Sequence, residues 1–127
     1  MRPTAILETV LYYDAAVEQD VERFYSEVLG LRRVSRFDDG MVFRLGDGLL
    51  LLFDAGRTST RPDERARHGA VGSVHTCFRV PPEEYERWKE ALPAENEVTW
   101  KNGVRSFYFR DPADNLLELA EGDLWPE

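Results

Sequence analysis

The sequence predicts an α+β fold in which two pseudosymmetric βαβββ modules form a cupped, eight-stranded mixed sheet. Two observations carry the prediction. The order strand, helix, strand, strand, strand occurs twice, and the two copies align at one fixed offset.

A first strand from about Ala5 to Tyr13 leads into Asp14, a good helix N-cap. Val17, Val21, Phe24, Tyr25 and Val28 then recur at helical spacing and predict one amphipathic helix that stops at Gly30. Three strand candidates follow, punctuated by Asp39-Gly40 and by Gly46-Asp47-Gly48. After a polar loop the order repeats. A strand from Val74 to Val80 precedes Pro81-Pro82, where Glu83 and Glu84 open a helix whose apolar face is Tyr85, Trp88 and Leu92 and which Pro93 ends. Strands are then expected around Glu97 to Trp100, Arg105 to Arg110 and Leu116 to Ala120, the last two joined by a turn over Asp111-Pro112-Ala113-Asp114-Asn115. Aligning the first strands of the two copies sets Glu8 opposite His75, an offset of 67 (75 − 8). The last strands independently pair Leu51 with Glu118, again 67 (118 − 51).

The chain has 127 residues, 43% of them hydrophobic and 12% aromatic, which suits one soluble domain over 1–127. Within it the first module spans about 4–54, a loop about 55–73, and the second module about 74–121. The longest apolar run, Leu49 to Phe53, is too short to cross a bilayer, and the N-terminus lacks a signal-peptide pattern. A single cysteine, Cys77, cannot make an intrachain disulfide and fits a reducing, cytoplasmic setting. The formal net charge of −8 argues against nucleic acid or an anionic membrane surface as partner and leaves a small molecule as the expected ligand. Arg57, Arg61, Arg65 and Arg67 concentrate positive charge in the loop, read as a solvated connection, with a lid over the pocket as the alternative.

Strand alternation puts Glu8, Val10 and Tyr12 on one side of the first strand, and His75, Cys77 and Arg79 on one side of the fifth. A carboxylate in an apolar, mostly buried strand costs several kcal/mol unless it is paired or bound to a cation. Glu118, flanked by Leu116, Leu117 and Leu119, is the clearest anomaly. Glu8, His75 and Glu118 together offer oxygen and nitrogen ligands to a divalent ion. His68, in the loop, earns no such role, and Cys77 is expected to be an ordinary buried strand cysteine that lies on the His75 face. Ser106, Tyr108 and Arg110 share one face of their strand, with Phe107 and Phe109 on the helix-packed side. Tyr108 is the best polar candidate there, as hydrogen-bonding group or acid catalyst. Tyr12, Leu51, Phe53, Trp100 and Trp125 would make the cup largely apolar and aromatic.

Several stretches, together and in order, resemble the vicinal-oxygen-chelate superfamily: glyoxalase I, bleomycin-resistance binding proteins, extradiol dioxygenases and fosfomycin-resistance thiol transferases. They are Ile6 to Leu11 before Asp14, Phe24-Tyr25 followed by Val28-Leu29-Gly30-Leu31, Val74-His75, and Phe107 to Pro112 ending in Asn115 to Leu119. The resemblance covers essentially the whole chain. It implies metal positions at Glu8, Leu51, His75 and Glu118, of which Leu51 cannot ligate, and a divalent ion such as manganese, iron, nickel or zinc. It also implies a homodimer in which Glu8 of one subunit meets His75 and Glu118 of its partner. Leu51 departs from the four-ligand set of glyoxalase I, and one histidine with two carboxylates departs from the dioxygenases. Trp100, Lys101 and Ser106 to Phe109 are similar to the fosfomycin-resistance transferases, but Glu8 replaces their first histidine and Val10 their threonine, so fosfomycin fits poorly as substrate. Two readings stay open. In one, the protein is an enzyme of lyase or isomerase type in which Glu8 or Tyr108 moves the proton; in the other, it is a cup that sequesters a drug or aromatic metabolite. Lys101, Ser106 and Cys77 join the aromatic residues as candidate substrate contacts.

Overall fold

The computed structural model describes residues 1–125, which divide into two compact units, Met1–Gly72 and the segment from Ser73 on. In the first unit, β1 (Glu8–Tyr13), α1 (Glu18–Arg23), β2 (Arg32–Phe37), β3 (Gly40–Leu45) and β4 (Gly48–Asp54) occur in that order. They form a four-stranded sheet of order β1-β4-β3-β2 in which β1 and β4 run parallel and the other pairs antiparallel. The expected single helix is three pieces. Asp14 accepts a hydrogen bond from the Ala16 amide (2.9 Å) and starts a 3-10 turn over Ala15–Val17, α1 comes next, and a π turn spans Phe24–Val28. One extra residue in that turn rotates the end of the helical segment, so Val21 and Tyr25 are fully buried but Val28, expected on the same face, is exposed. Tyr25 meets Phe43 at a ring separation of 5.8 Å, and Leu11, Tyr13, Met41, Leu50 and Leu52 are buried on the same side of the sheet by strand alternation. Gly30, at φ +71°, ends the helical segment.

The second unit repeats the arrangement with β5 (His75–Arg79), β6 (Glu95–Thr99), β7 (Arg105–Arg110) and β8 (Leu116–Ala120) in the order β5-β8-β7-β6. Two further α-helices occur among the described residues, α2 (Ala55–Thr58) after β4 and α3 (Tyr85–Ala91) after β5, the latter entered through a 3-10 turn over Pro82–Glu84. Tyr85 and Leu92 are buried, and the Tyr85 ring lies 5.5 Å from Phe107. Leu92 is already extended, as a residue before proline prefers.

The strand ladders carry the internal repeat. Glu8 is the Cα partner of Leu49 as His75 is of Leu116, and Val10 is the partner of Leu51 as Cys77 is of Glu118. Each rung repeats at 67 (75 − 8). The β3–β4 turn leaves residues 45–48 beyond the Arg44↔Leu49 rung, whereas 111–115 lie beyond Arg110↔Leu116, one residue more. That longer turn is held by Asp111, whose Oδ1 accepts from the Ala113 and Asn115 amides, each at 2.9 Å. Among the described residues no helix is long and apolar enough to cross a membrane.

Candidate functional site

In the second unit, alternation and register bring His75 and Cys77 of β5, Glu118 of β8, and Ser106 and Tyr108 of β7 to one sheet face. The Glu118 side chain is buried (the residue is 4% exposed), while His75 stands at the open end of its strand. The His75 Nδ1 sits 2.9 Å from the Leu116 carbonyl, and its Nε2 sits 3.2 Å from Glu118 Oε1. A carbonyl only accepts, so Nδ1 carries the proton of the neutral ring and Nε2 turns a lone pair toward a carboxylate oxygen. Two acceptors facing each other at this distance need a cation between them, either a proton or a metal ion. Glu118 Oε2 is buried with no geometrically formed hydrogen bond among the described residues, and the Tyr108 hydroxyl and the Cys77 thiol are the donors beside the carboxylate.

These two donors have the spacing of neighbouring ligands on a divalent ion. Ligands each about 2.1 Å from an ion at octahedral to tetrahedral angles lie roughly 3.0–3.4 Å apart. A histidine whose other nitrogen is tied to a main-chain carbonyl is the usual ligand arrangement.

The neighbours are shaped by the same carboxylate. The Tyr108 phenol is pushed up by burial and then by the Glu118 charge, so it keeps its proton, and its ring lies 5.9 Å from His75. Cys77 is exposed rather than the buried strand cysteine expected from the sequence, because β5 is an edge strand. Its sulfur nevertheless faces Glu118, and desolvation followed by that charge pushes the thiol up to about 12. Ser106 is fully buried and accepts a hydrogen bond from Trp100 Nε1 at 2.9 Å. Lys101 is exposed in the β6–β7 turn, and Trp125 is 79% exposed.

Glu8 corrects another expectation. It opens β1 in the first unit and is exposed, not embedded in an apolar strand, because the preceding residues 1–7 form no strand. Among the described residues, no three His, Cys, Asp or Glu side chains gather closely enough to hold an ion.

The corresponding face of the first unit is apolar. Val42, Leu51 and Phe53 are buried together, with Val10, Tyr12 and Leu49 packed against them. The segment after Asp54 reads in the sequence chiefly as a solvated loop, but part of it lies on this face. His68 sets its ring edge-on to Phe53 at 5.0 Å and places Nδ1 2.7 Å from the Tyr12 hydroxyl. Arg61 stands 5.3 Å from the centre of the Phe53 ring and donates to Asp39 at 2.7 Å. Neither residue has strand or helix periodicity around it, so only a long-range contact reveals its place.

These features define a small α+β protein of two βαβββ units, with a histidine and a buried glutamate paired on the second sheet. The chain belongs to the Glyoxalase/Bleomycin resistance protein/Dioxygenase superfamily, whose family model matches residues 18–119. It is similar to the lactoylglutathione lyase structure from Agrobacterium tumefaciens, at 38% identity and a TM-score of 0.88, with all of both chains covered. It is 31% identical over 105 residues to the Serratia marcescens protein named Glutathione transferase FosA, covering 80% of this chain and 70% of that protein. A Listeria monocytogenes fosfomycin resistance protein, FosX, solved with Mn(II) and 1S,2S-dihydroxypropylphosphonic acid, shares the fold at 17% identity and a TM-score of 0.69, over 98% of this chain and 94% of that one.

Proposed function

We propose that this protein is a metal-dependent enzyme that acts on a small, oxygen-chelating and partly hydrophobic or aromatic substrate, by lyase or isomerase chemistry. The observation that carries the reading is the His75–Glu118 pair, with Nε2 facing a carboxylate across 3.2 Å and Oε2 buried without a partner among the described residues. His75 and Glu118 hold the ion, and Leu116 keeps the imidazole in the ligating tautomer through its carbonyl. A divalent ion there, manganese, iron, nickel or zinc, supplies Lewis-acid polarisation of substrate oxygens. Glu8 of a second copy is the third ligand and the candidate base, which makes a homodimer the functional unit. Tyr108, protonated beside Glu118, donates a hydrogen bond or a proton to a substrate oxygen.

A sequestering role is the second reading, supported by the apolar face of Val42, Leu51 and Phe53 and by Leu51 at a ligand position. The 31% identity to a protein named as a glutathione transferase supports thiol transfer as a third. Elemental analysis of protein loaded with manganese, iron, nickel and zinc, beside His75→Ala and Glu118→Ala, tests the main reading. Near-stoichiometric metal lost in both variants supports it and directs substrate screening to chelating oxygens, with a thiol co-substrate in one arm. No metal in the wild type under any loading condition refutes it and leaves sequestration.

A further inference from the structure

The clearest unanswered charge in the first unit lies on β2 and β3. Arg32 and Arg44 are direct Cα partners on the rung farthest from the β2–β3 turn, and both are exposed. Like charges set directly opposite each other on a sheet repel, so such a pair calls for an acid beside it. None is there. The chain carries 24 acidic residues against 16 basic ones, and every other arginine of its strands and α-helices forms an ion pair. Among the described residues Arg32 and Arg44 make neither an ion pair nor a side-chain hydrogen bond. Glu8 lies on the same rung, but Leu49 stands between it and Arg44.

A β-bulge builds this placement. Between the Arg33↔Phe43 and Ser35↔Val42 rungs, β2 carries one extra residue, Val34. With it, Arg33 and Arg36 share a face and both bond Glu22 of α1, while Arg32 comes to the opposite face with Ser35 and Phe37. Without the extra residue, Arg32 and Ser35 would alternate to opposite faces. From β3, Arg44 and Val42 join Arg32 and Ser35, and at Gly40 an added Cβ would collide with the Phe53 ring, which folds over that position. Phe37 stacks on the same ring at 6.4 Å and is itself 48% exposed. Two arginines, a serine and an open aromatic side chain therefore follow one another along the strand pair, over about 13 Å from Arg44 to Gly40.

We propose that Arg32 and Arg44 clamp the oxyanion, a carboxylate or a phosphate group, of a small amphipathic molecule whose apolar part runs past Ser35 to Phe37. Guanidinium forks on adjacent strands suit such a group, because each can donate two parallel N–H bonds to a pair of oxygens. The strand register holds the two charges together before the anion arrives, so the clamp is formed in advance, and the bound anion cancels the repulsion across the rung. The site belongs to the first unit alone and needs neither the His75–Glu118 pair nor a metal ion.

Titration of the ¹⁵N-labelled full chain with phenylacetate, phenyl phosphate and the uncharged benzyl alcohol, at low salt with a chelator present, tests it. Either anion should shift the Arg32 and Arg44 Nε–H signals and the Ser35 and Val42 amides saturably, and benzyl alcohol should bind far more weakly. The tighter of the two anions names the group the clamp takes. Arg32→Gln and Arg44→Gln should each weaken that anion about tenfold or more, the loss of a charged bidentate contact. Arg87→Gln, which removes the same charge from α3, should leave the affinity unchanged. Both clamp variants should melt no lower than wild type, since each relieves the repulsion, so weaker binding cannot be laid to misfolding. Anion shifts that do not saturate or that leave both arginines unmoved, an equal loss in Arg87→Gln, or benzyl alcohol binding as tightly as the anions would each overturn the clamp.

Discussion

Replacing the buried glutamate of the second sheet should stabilise the metal-free protein. At pH 8 with a chelator present, Glu118 Oε2 has no partner among the described residues, and Oε1 faces the lone pair of His75 Nε2 at 3.2 Å. Glu118→Gln keeps the volume, so no cavity opens, and its amide can turn an N–H toward His75. The Gln carbonyl then takes the Oε2 position, still without a partner but uncharged, so the gain is the loss of an unpaired buried charge, about 1–3 kcal/mol, together with a new hydrogen bond, about 0.5–1.5 kcal/mol. A total near ~2 kcal/mol corresponds to a Tm rise of roughly 6–10 °C for a chain of this length. Divalent metal should reverse the order. At a hundredfold excess over Kd, wild type gains about 2.7 kcal/mol and the variant gains little. Differential scanning calorimetry of both proteins, with chelator and with manganese or zinc, reads both effects. If Glu118→Gln melts below wild type in chelator, the carboxylate is a structural ion-pair partner. If both proteins respond equally to metal, Glu118 is no ligand, and in either case the reasoning fails.

Gly40→Ala should cost about 2 kcal/mol in urea unfolding, because the added Cβ would sit 2.6 Å from the Leu52 carbonyl and collide with the Phe53 ring. Cys77 should react with iodoacetamide at pH 8 about a hundredfold more slowly than a free cysteine, and Glu118→Gln should speed it, because desolvation of the sulfur beside Glu118, then that charge and a hydrogen bond to the carboxylate, hold the thiol up to about 12. Asp39, Glu97 and Glu121 are held below the usual carboxylate range, mainly by hydrogen bonds from Arg61, Lys89 and Arg105 respectively. A lowered folded pKa gives stability that is present above the unfolded value near 4 and is lost as pH falls through the folded one, so acid titration of Tm should fall below about pH 4 and flatten in Asp39→Asn.

Local pattern and long-range contact differ in how much of this was legible in the sequence. The bounds of β7 and β8 coincide with the runs Arg105 to Arg110 and Leu116 to Ala120, the first marked by Phe107 and Phe109 alternating with polar residues and the second by a short apolar run buried along nearly its whole length. Repeat alignment set Glu8 against His75 and Leu51 against Glu118, and the ladders repeat those rungs, because register is kept by pleat geometry even where side chains change. The π turn at Phe24–Val28 escaped because its residues fit an ordinary helix pattern equally well, and only the Leu29 amide bonding to the Phe24 carbonyl separates the two. His68 escaped because its partner Tyr12 is 56 residues away, and the Gly- and Arg-rich segment carries no period that could place it. Cys77 and Glu8 were misjudged on exposure because composition does not say that β1 and β5 are edge strands.

The two sheets hold the same rungs with opposite chemistry, and this can be tested by copying one onto the other. Leu51 on β4 stands where Glu118 stands on β8, and Glu8 stands where His75 stands. Leu51 is 6% exposed among Val42 and Phe53, so a carboxylate there has only apolar neighbours and another acid at the diagonal position. Leu51→Glu should therefore destabilise the protein by about 3–5 kcal/mol at pH 8, the cost of an uncompensated buried charge. It should recover in part as the pH falls, since protonation removes the charge, and chemical denaturation at pH 8 and pH 5 measures both. An unchanged midpoint at pH 8 would mean that the face admits water or a cation freely. The contrast with Glu118 would then reflect the accident of a spare histidine rather than a site built to hold an ion.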